Sequence, residues 1–240
     1  MNSPPNSILA LDGIGKIYPG EVPTRALDGV TFAVEAGQFV AIVGSSGSGK
    51  TSLLNLLGLL DRPTEGSIWM NGRNVTALEP ADAVRLRRDM LGFIFQFHYL
   101  LPEFSALENA LMPCRLAGGD RAARQEGTMR ALFKRVGLEA KLDKRPHQLS
   151  GGEQQRVAIL RALANDPLFV LADEPTGNLD SRNAAEIFSL LREVTRELRR
   201  TVVMVTHDQE LAAQADRVIV LKDGRVVADG AASEYAGHHG

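Results

Sequence analysis

The segment of this 240-residue chain with the clearest chemical potential is the run GSSGSGKT, from Gly44 to Thr51. Its spacing, G-x-x-x-x-G-K-S/T, is typical of a loop that binds phosphate groups. Glycines let successive backbone N–H groups point into one concavity, and the start of a following helix adds the positive end of its dipole. Lys50 supplies a cation for the β- and γ-phosphates, and Thr51 supplies a hydroxyl ligand for Mg²⁺. The alternative is a Gly/Ser linker, but the apolar patterns at 39–43 and 51–60 predict the strand and helix that a phosphate loop requires.

Two adjacent carboxylates, Asp173 and Glu174, follow a second apolar run at 168–172. A carboxylate at the end of a buried strand can hold Mg²⁺ through water, which fits Asp173. Successive strand residues point to opposite sides, so Glu174 can have a different role. It could act as the general base for the water in line with the γ-phosphate. The alternative is that both residues only cap the next segment.

Two further positions could contact phosphate. His207 ends the β-branched run at 201–205, and ligands of parallel sheets collect beyond the carboxyl ends of the strands. Ser150, in the run LSGGE, is a good helix N-cap, and Gly151 and Gly152 permit close approach of a ligand. Such a second anion site would serve a nucleotide held by another copy of the chain. A structural histidine and an ordinary helix start are the alternatives.

The elements that must position these residues follow an α/β pattern. Strand patterns alternate with helical patterns, which predicts a largely parallel sheet covered on both faces. Asn71-Gly72 and Asp223-Gly224 predict hairpin turns. Between about 82 and 147 helical patterns dominate, and we expect a helical subdomain inserted into the α/β core. Breaks in these helical patterns are expected at Pro102, Pro113, Gly118-Gly119 and Pro146.

The composition excludes several classes of protein. Lys and Arg total 27 against 29 Asp and Glu, and this balance argues against a general nucleic-acid binder. The one cysteine, Cys114, excludes an intrachain disulfide framework and is expected to be a small apolar filler in a reducing compartment. We find neither a membrane-spanning apolar stretch nor a secretory signal, so we expect a cytoplasmic protein. A loose arm is expected at 1–7, and the tail residues His238 and His239 are not expected to bind metal.

The order of these motifs along the chain resembles that of the ATP-binding cassette ATPases. The elements are Tyr18, GSSGSGKT, Gln96, LSGGEQQR, LADEP, the turn at 177–180 and His207, and they cover about residues 8–230. The resemblance implies an α/β fold with a P-loop NTPase core, a mainly parallel sheet, an N-terminal antiparallel β part and an inserted helical subdomain. It implies one nucleotide-binding domain over 1–240, with its core at about 8–91 and 151–230 and the helical subdomain at about 92–150. The implied activity is hydrolysis of ATP to ADP and phosphate with Mg²⁺, coupled to transport.

The resemblance also assigns roles to single residues. Tyr18 would stack on adenine, Gln96 would ligate Mg²⁺ and signal to membrane subunits, and Asp180 would cross an interface between two copies. Glu174 and His207 would be the catalytic carboxylate and the switch histidine, and LSGGE would close over ATP bound to the opposite protomer. The implied metal ligands are Thr51, Gln96 and Asp173. The implied nucleotide-binding residues are Tyr18, Gly44, Ser45, Ser46, Gly47, Ser48, Gly49, Lys50, Thr51, Ser52, Gln96, Ser150, Gly151, Gly152, Glu153 and Asp180.

A narrower resemblance comes from QFHYLLPEF at 96–104, followed by ALEN at 106–109. It is similar to the ATPases of lipoprotein-releasing systems, within a group that also holds macrolide exporters and the cell-division cassette. We therefore expect an ATPase subunit on the cytoplasmic face of the inner membrane that drives lipoprotein release. A macrolide-type exporter or the cell-division complex is the alternative.

The expected partners follow from the same resemblance. They are integral membrane permease subunits and a second ATPase subunit, in a homodimer or a pseudo-symmetric pair, without nucleic acid. The apolar segment Phe93 to Leu101 is interpreted as a loop that forms a docking groove for a permease helix. Alternatively, its side chains only pack under the helical subdomain.

Overall fold

The structure, a computed structural model, describes residues 7–235. The expected arm therefore lies outside the described residues except for Ser7, and so do His238 and His239. The described chain forms two compact units, one from 7–87 with 199–235 and the other from 88–198. The boundaries predicted for a helical subdomain, about 92–150, stay a prediction.

Ten strands and eight helices are assigned within residues 7–235. The strands are β1 (Ser7–Tyr18), β2 (Thr24–Glu35), β3 (Phe39–Val43), β4 (Glu65–Met70), β5 (Arg73–Asn74), β6 (Leu91–Phe95), β7 (Phe169–Asp173), β8 (Thr201–Val205), β9 (Arg217–Lys222) and β10 (Arg225–Ala231). The helices are α1 (Lys50–Leu57), α2 (Pro80–Met90), α3 (Ala106–Ala117), α4 (Arg121–Arg135), α5 (Gly151–Leu163), α6 (Ser181–Glu197), α7 (Gln209–Ala212) and α8 (Ala232–Tyr235).

In the first unit, an antiparallel sheet has the strand order β2-β1-β4-β5. The predicted turn between β4 and β5 is confirmed, with φ of 48° at Asn71 and 74° at Gly72. Strand β1 was not predicted, because its pairing register shifts between Leu11 and Ile14 and Gly13 has a φ of 61°. A bulge of this kind breaks the alternation of apolar and polar residues by which a strand is recognised in sequence.

The first unit also holds the strands that carry the phosphate loop, in the order β10-β9-β3-β8. Strand β3 is parallel to both β8 and β9, whereas β9 and β10 form the predicted hairpin around Asp223 and Gly224. All five residues of β3 and all five of β8 are buried, as expected for strands covered on both faces. Ile42 lies opposite Val205, so the carboxyl ends of β3 and β8 reach the same edge.

In the second unit, β6 and β7 form a parallel pair, and four helices enclose an apolar core. The interpretation of Phe93 to Leu101 as a loop is wrong for its first part, because β6 extends through Phe95. A short apolar run without flanking turn residues does not by itself distinguish a strand from other buried structure. The core side chains include Leu107, Ala110, Leu111, Phe133, Leu138, Leu149, Val157 and Leu160.

Helix α3 differs from the sequence prediction, because Pro113 lies inside it and does not end it. A proline removes one helical hydrogen bond, and the burial of Ala110, Leu111 and Cys114 on this helix offsets that loss. The Cys114 thiol is buried, donates to the Ala164 carbonyl over 3.0 Å, and has a pKa that burial raises.

No helix within residues 7–235 is both long enough and apolar enough to cross a membrane.

Candidate active site

The phosphate loop is packed so tightly that two of its positions accept only glycine. A Cβ at Gly44 would lie 2.2 Å from the Leu221 carbonyl oxygen and 2.5 Å from Ser48 Oγ. Gly49 has a φ of 101°, and a Cβ there would lie 2.5 Å from the Ala26 carbonyl oxygen. Because backbone atoms cannot move aside, the loop between β3 and α1 keeps one shape.

The amino end of α1 is open. Gly49 is its N-cap, and within the described chain neither a capping side chain nor an acidic residue in the first turn neutralises this end. The amino ends of four other helices are closed by side chains that accept hydrogen bonds from backbone N–H groups, those of Ser105, Ser150, Asp180 and Asp208. The free N–H groups and the helix dipole make the start of α1 suitable for an anion.

Two side chains of the loop fit a bound phosphate. Ser48 is 2% exposed, and its buried Oγ finds no hydrogen-bond partner among residues 7–235. Lys50 Nζ lies over the loop and donates to the carbonyl oxygens of Gly44 and Ser45, each over 2.8 Å. The remaining surface of the loop is exposed at Ser45, Ser46 and Gly47, and Thr51 is exposed in the first turn of α1.

Tyr18 and His207 lie in the same unit as the loop. Tyr18 ends β1, and its hydroxyl is 3.4 Å from Oγ of Ser52, the residue after Thr51. His207 is exposed and follows β8, and Thr206 before it donates its N–H to the Ile42 carbonyl over 3.1 Å. The histidine and the loop therefore emerge from the same edge of the sheet.

In the second unit, the predicted carboxylates and glutamine meet at one strand edge. Asp173 is paired with Phe95, so Gln96 and Glu174 both follow directly on the edge of the β6–β7 pair. Glu174 has a φ of 46°, a left-handed conformation that a residue with a side chain adopts at a cost of about 1–3 kcal/mol. Such local strain is common where a side chain must be aimed at a ligand.

Gln96 is held by a residue to which the sequence assigned no role. Its Nε2 donates to Asn178 Oδ1 over 3.2 Å, and Asn178 Nδ2 donates to the Gln96 carbonyl over 3.0 Å. These two hydrogen bonds fix the side-chain amide of Gln96. Because its nitrogen is already paired, its oxygen, Oε1, is the atom that can face a cation. Asn178 lies in the turn that the sequence singled out. Its pairing with Gln96 could not be predicted, because the two residues are 82 positions apart in the chain.

The proposed metal ligands are a hydroxyl, an amide oxygen and one carboxylate. All are oxygen donors, which Mg²⁺ prefers, and Mg²⁺ typically takes one or two carboxylates together with phosphate oxygens and water. Within residues 7–235 no group of three or more His, Cys, Asp or Glu side chains is placed to hold a metal ion. The oxygen atoms of Thr51, Gln96 and Asp173 are therefore each of the kind that Mg²⁺ binds.

The amino end of α5 is closed by a capping box, and the prediction that Ser150 is the N-cap is confirmed. Ser150 Oγ accepts from the Glu153 N–H over 3.3 Å, and Glu153 Oε2 accepts from the Ser150 N–H over 2.8 Å. The hydrogen bond from the Ser150 backbone, above all, holds the pKa of Glu153 below its ordinary value, and Lys141, at 3.2 Å, acts in the same direction.

The two glycines after Ser150 are not required by the packing of the chain. A Cβ at Gly151 would come no closer than 3.8 Å to any neighbour in the described chain, and one at Gly152 no closer than 3.6 Å. Both neighbours, Leu179 and Asn183, flank the start of α6. There Asp180 accepts from the N–H and the side-chain amide of Asn183 at 2.9 and 2.7 Å, which lowers the pKa of its carboxyl.

The loop after β6 presents apolar side chains to the outside. We call Phe97 to Leu101 the exposed apolar segment, since Phe97, Tyr99 and Leu101 are 58%, 64% and 40% exposed. Arg161 of α5 donates to the carbonyls of His98 and Tyr99, each over 2.7 Å. Burial, and then the charge of Arg161, lower the pKa of His98.

The far end of this segment is held by a buried amide. Asn109 is fully buried and accepts from the Leu101 N–H over 2.7 Å, while its Nδ2 donates to three carbonyls, those of Leu101, Phe104 and Ser105. Gln155 of α5 donates to the carbonyls of Phe95 and Pro175. Sequence analysis missed both amides, and a polar residue on the buried face of a helix was the available signal.

Comparisons with known proteins agree with this geometry. The family model described as "ABC transporter" matches residues 27–177. "Lipoprotein-releasing system ATP-binding protein LolD" of Anaeromyxobacter dehalogenans is 52% identical over 221 residues, 92% of each chain. "Lipoprotein-releasing system ATP-binding protein LolD 1" of Chlorobium chlorochromatii is 47% identical over 229 residues, 94% of this chain and 92% of that one.

Solved structures give the same result. The dimeric structure of the bacterial ABC transporter cassette MJ0796 is 40% identical with a TM-score of 0.83, and covers 93% of this chain and 98% of its own. CbiO1 of Clostridium perfringens, part of an ABC transporter complex, is 28% identical with a TM-score of 0.87. The match covers 97% of this chain and 92% of CbiO1. The motifs, the architecture and these matches lead to one conclusion: the chain belongs to the ABC transporter family and has the fold of its ATPase cassettes.

Proposed function

We propose that this chain is the ATP-hydrolysing subunit of an ABC complex that releases lipoproteins from a bacterial inner membrane. The observation that carries ATP binding is the open amino end of α1 beside a loop in which two positions accept only glycine. Lipoprotein release is supported by the two relatives named for it, which are 52% and 47% identical to this chain.

Nucleotide binding is assigned to the residues of the loop and to Tyr18. The free N–H groups of the loop and of the first turn of α1, together with Lys50 Nζ, bind the phosphate oxygens, and the Tyr18 ring stacks on adenine. Thr51, Gln96 and Asp173 are the residues that would hold Mg²⁺, which would neutralise charge on the phosphates. Lys50 must exchange its two contacts to carbonyl oxygens for contacts to phosphate oxygens, which form stronger, charge-assisted hydrogen bonds.

Hydrolysis is assigned to Glu174 and His207. The Glu174 carboxylate accepts the proton of the attacking water as a general base, a role typically worth 10²–10⁴ in rate. The left-handed backbone of Glu174 ends the extended path of β7, which supports a role for Glu174 that differs from that of Asp173. His207 contacts the γ-phosphate from the edge at which the loop emerges.

A complete site is proposed to need two copies of the chain. Ser150 Oγ already accepts a hydrogen bond, but its hydroxyl proton is available to a phosphate oxygen. The space beside Gly151 and Gly152 supports close approach by a group from outside the chain, which we assign to the nucleotide of the second copy. Asp180 lies at the same surface. The related cassette MJ0796 was solved as a dimer.

The exposed apolar segment is proposed to dock a permease subunit on the cytoplasmic face of the inner membrane. Its support is the exposure of three large apolar side chains on a backbone fixed by Arg161 and Asn109. A rigid apolar surface loses little conformational entropy when a partner helix covers it.

The central experiment is the substitution Glu174→Gln. The variant should keep binding of Mg-ATP, lose turnover by about 10²–10⁴-fold and accumulate as a dimer, measured by phosphate release and light scattering. Glu186→Gln, on the exposed face of α6, is the matched control. Unchanged turnover removes Glu174 from its role, and a variant that stays monomeric with ATP contradicts the paired site.

The transport role is tested by purification from native membranes in mild detergent. Permeases that carry a lipoprotein-binding periplasmic part support it, whereas partners of an exporter or a cell-wall enzyme system contradict it. Phe97→Asp and Leu101→Asp should abolish co-purification with the permease. Leu116→Asp, at a side chain that is 76% exposed on α3, should not.

A further inference from the structure

Lys16 is a buried cation in the first unit. It is 9% exposed on β1, and its Nζ donates to Asp61 Oδ1 over 2.6 Å and to the Arg62 carbonyl over 2.8 Å. By comparison, the side chains of the Arg130–Glu126 pair on α4 are 49% and 44% exposed. Burying an ammonium group costs free energy that pairing only partly offsets, so a buried lysine suggests a role beyond a surface ion pair.

The same two side chains contact Tyr18. Lys16 Nζ lies over the Tyr18 ring, 4.9 Å from its centroid, which is cation–π geometry. The second oxygen of Asp61, Oδ2, is 3.3 Å from the Tyr18 hydroxyl. One carboxylate therefore binds the cation on the face of the ring and the hydroxyl at its tip, and these two contacts fix the plane of the ring.

The charge state of Asp61 follows from the groups that surround it. Burial raises the pKa of Asp61, but hydrogen bonds from Lys16, from the Arg62 N–H and from Tyr18 outweigh it and hold the pKa below its ordinary value. Asp61 is thus ionised at neutral pH and can accept from both partners. The groups that face it are Lys16, Tyr18 and the Arg62 backbone.

We propose that Lys16 and Asp61 are positioning residues that hold the Tyr18 ring so that its second face stacks on the adenine of ATP. This inference rests on the proposed role of Tyr18 in nucleotide binding. Lys16 covers one face of the ring, and we assign the other face to the planar base. The Tyr18 hydroxyl is also 3.4 Å from Ser52 Oγ, directly after Thr51, so the ring has a fixed place relative to the phosphate loop.

A purely structural role predicts different behaviour. The Lys16–Asp61 pair also joins β1 to the segment after α1, and a structural link of that kind would affect stability and phosphate binding alike. A positioning role affects only ligands that carry a base. The comparison of Mg-ATP with magnesium tripolyphosphate, which has no base, separates the two.

The experiment uses the full chain with Lys16→Met. We expect the KM and Kd for Mg-ATP to rise about three- to tenfold, the size of a partly buried cation–π contact. The kcat should change less than twofold, and tripolyphosphate affinity should not change. Lys16→Arg keeps the cation and should stay within twofold of the parent. Arg130→Met, which removes an exposed cation, is the matched control and should have no effect.

A double-mutant cycle tests the route through Tyr18. In a Tyr18→Leu background, Lys16→Met should not weaken Mg-ATP binding further. Equal weakening of Mg-ATP and tripolyphosphate, or independent effects of the two substitutions, would overturn the inference. If Lys16→Met does not fold, Asp61→Asn, which removes the charge but keeps an acceptor, is held to the same criteria. If Tyr18→Leu leaves the affinity for ATP unchanged, the proposed role of Tyr18 itself is wrong. If Tyr18→Leu weakens ATP binding but Lys16→Met does not, only this inference is wrong.

Discussion

Helices α1 and α5 both begin at glycines next to serines, yet their amino ends are built in opposite ways. At α1 the glycines are required by the packing, and within residues 7–235 a capping side chain is absent. At α5 the glycines are not required by the packing, and Ser150 and Glu153 close the end with a capping box. The chain leaves the first end without a capping side chain, whereas it closes the second with its own side chains and leaves space beside the two glycines.

This difference suggests how one ligand can use both ends. We expect an anion at α1 to satisfy N–H groups that the chain leaves open. Contact at α5 adds little to the chain itself, so we expect it to depend on whether a second copy is present. Four experiments test this difference between the amino ends of α1 and α5.

The largest effect is expected from Gly44→Ala. The new methyl would lie 2.2 Å from a backbone oxygen, so the loop must shift, at a cost of about 3 kcal/mol or more, and nucleotide binding should be lost. Chemical denaturation and nucleotide titration measure the two effects. Gly47→Ala is the matched control, because its φ of 78° imposes strain but space is open around it within the described chain, and it should cost only about 1–2 kcal/mol. Equal effects at both positions would contradict a packing requirement at Gly44.

The next effect separates stability from activity at α5. Gly152→Ala should leave the monomer as stable as before or stabilise it by up to about 1 kcal/mol, because alanine favours the helix. ATP-driven dimerisation and turnover should fall about tenfold or more, since a methyl fills the space assigned to the second copy's nucleotide. Thermal unfolding and phosphate release provide the measurements. Full turnover in this variant would show that nothing approaches Gly152.

A third substitution compares two capping boxes. Ser150→Ala and Ser105→Ala each remove a serine that caps a helix through the same geometry, so each should cost about 1 kcal/mol of unfolding free energy. Only Ser150→Ala should also reduce turnover. If Ser105→Ala reduces it equally, the effect comes from stability and the special role of α5 is wrong.

The smallest effect is a pH dependence of the closed end of α5. The pKa of Glu153 is lowered in the folded chain, mainly by the hydrogen bond from the Ser150 backbone. Its stabilising contribution is therefore full above its ordinary value of 4.5 and is lost as the pH falls through the lower folded-state pKa. Glu153→Gln keeps the capping geometry without the charge and should be less stable by about 0.5 kcal/mol at pH 7. Denaturation at pH 7 and near pH 3 should show this difference shrink in acid, and a constant difference would contradict it.

The sequence predicted what depends on neighbours along the chain. The strand–loop–helix context of GSSGSGKT, the N-cap at Ser150 and both hairpin turns have local signals, since each depends on spacing and on residues with special backbone preferences. The sequence also predicted that His207 and the phosphate loop lie at the same edge of the sheet, because parallel strands bring their carboxyl ends to one edge.

What the sequence did not predict depends on tertiary packing. The Lys16–Asp61 ion pair spans 45 residues and the Gln96–Asn178 pair spans 82, and neither spacing carries a pattern. Strand β1 was hidden by its bulge, and β6 by an apolar run too short to assign. In each case the deciding interaction is with a distant segment whose position only the fold supplies.

The sequestered thiol of Cys114 has a practical consequence for studying this protein. Because the thiolate is the reactive form and burial disfavours it, maleimide reagents should leave the native chain essentially unlabelled. A cysteine introduced at an exposed position such as Arg130 would then carry a fluorophore alone, without removal of the natural residue. Energy transfer between two such dyes would follow, in real time, the approach and departure of the twin subunits.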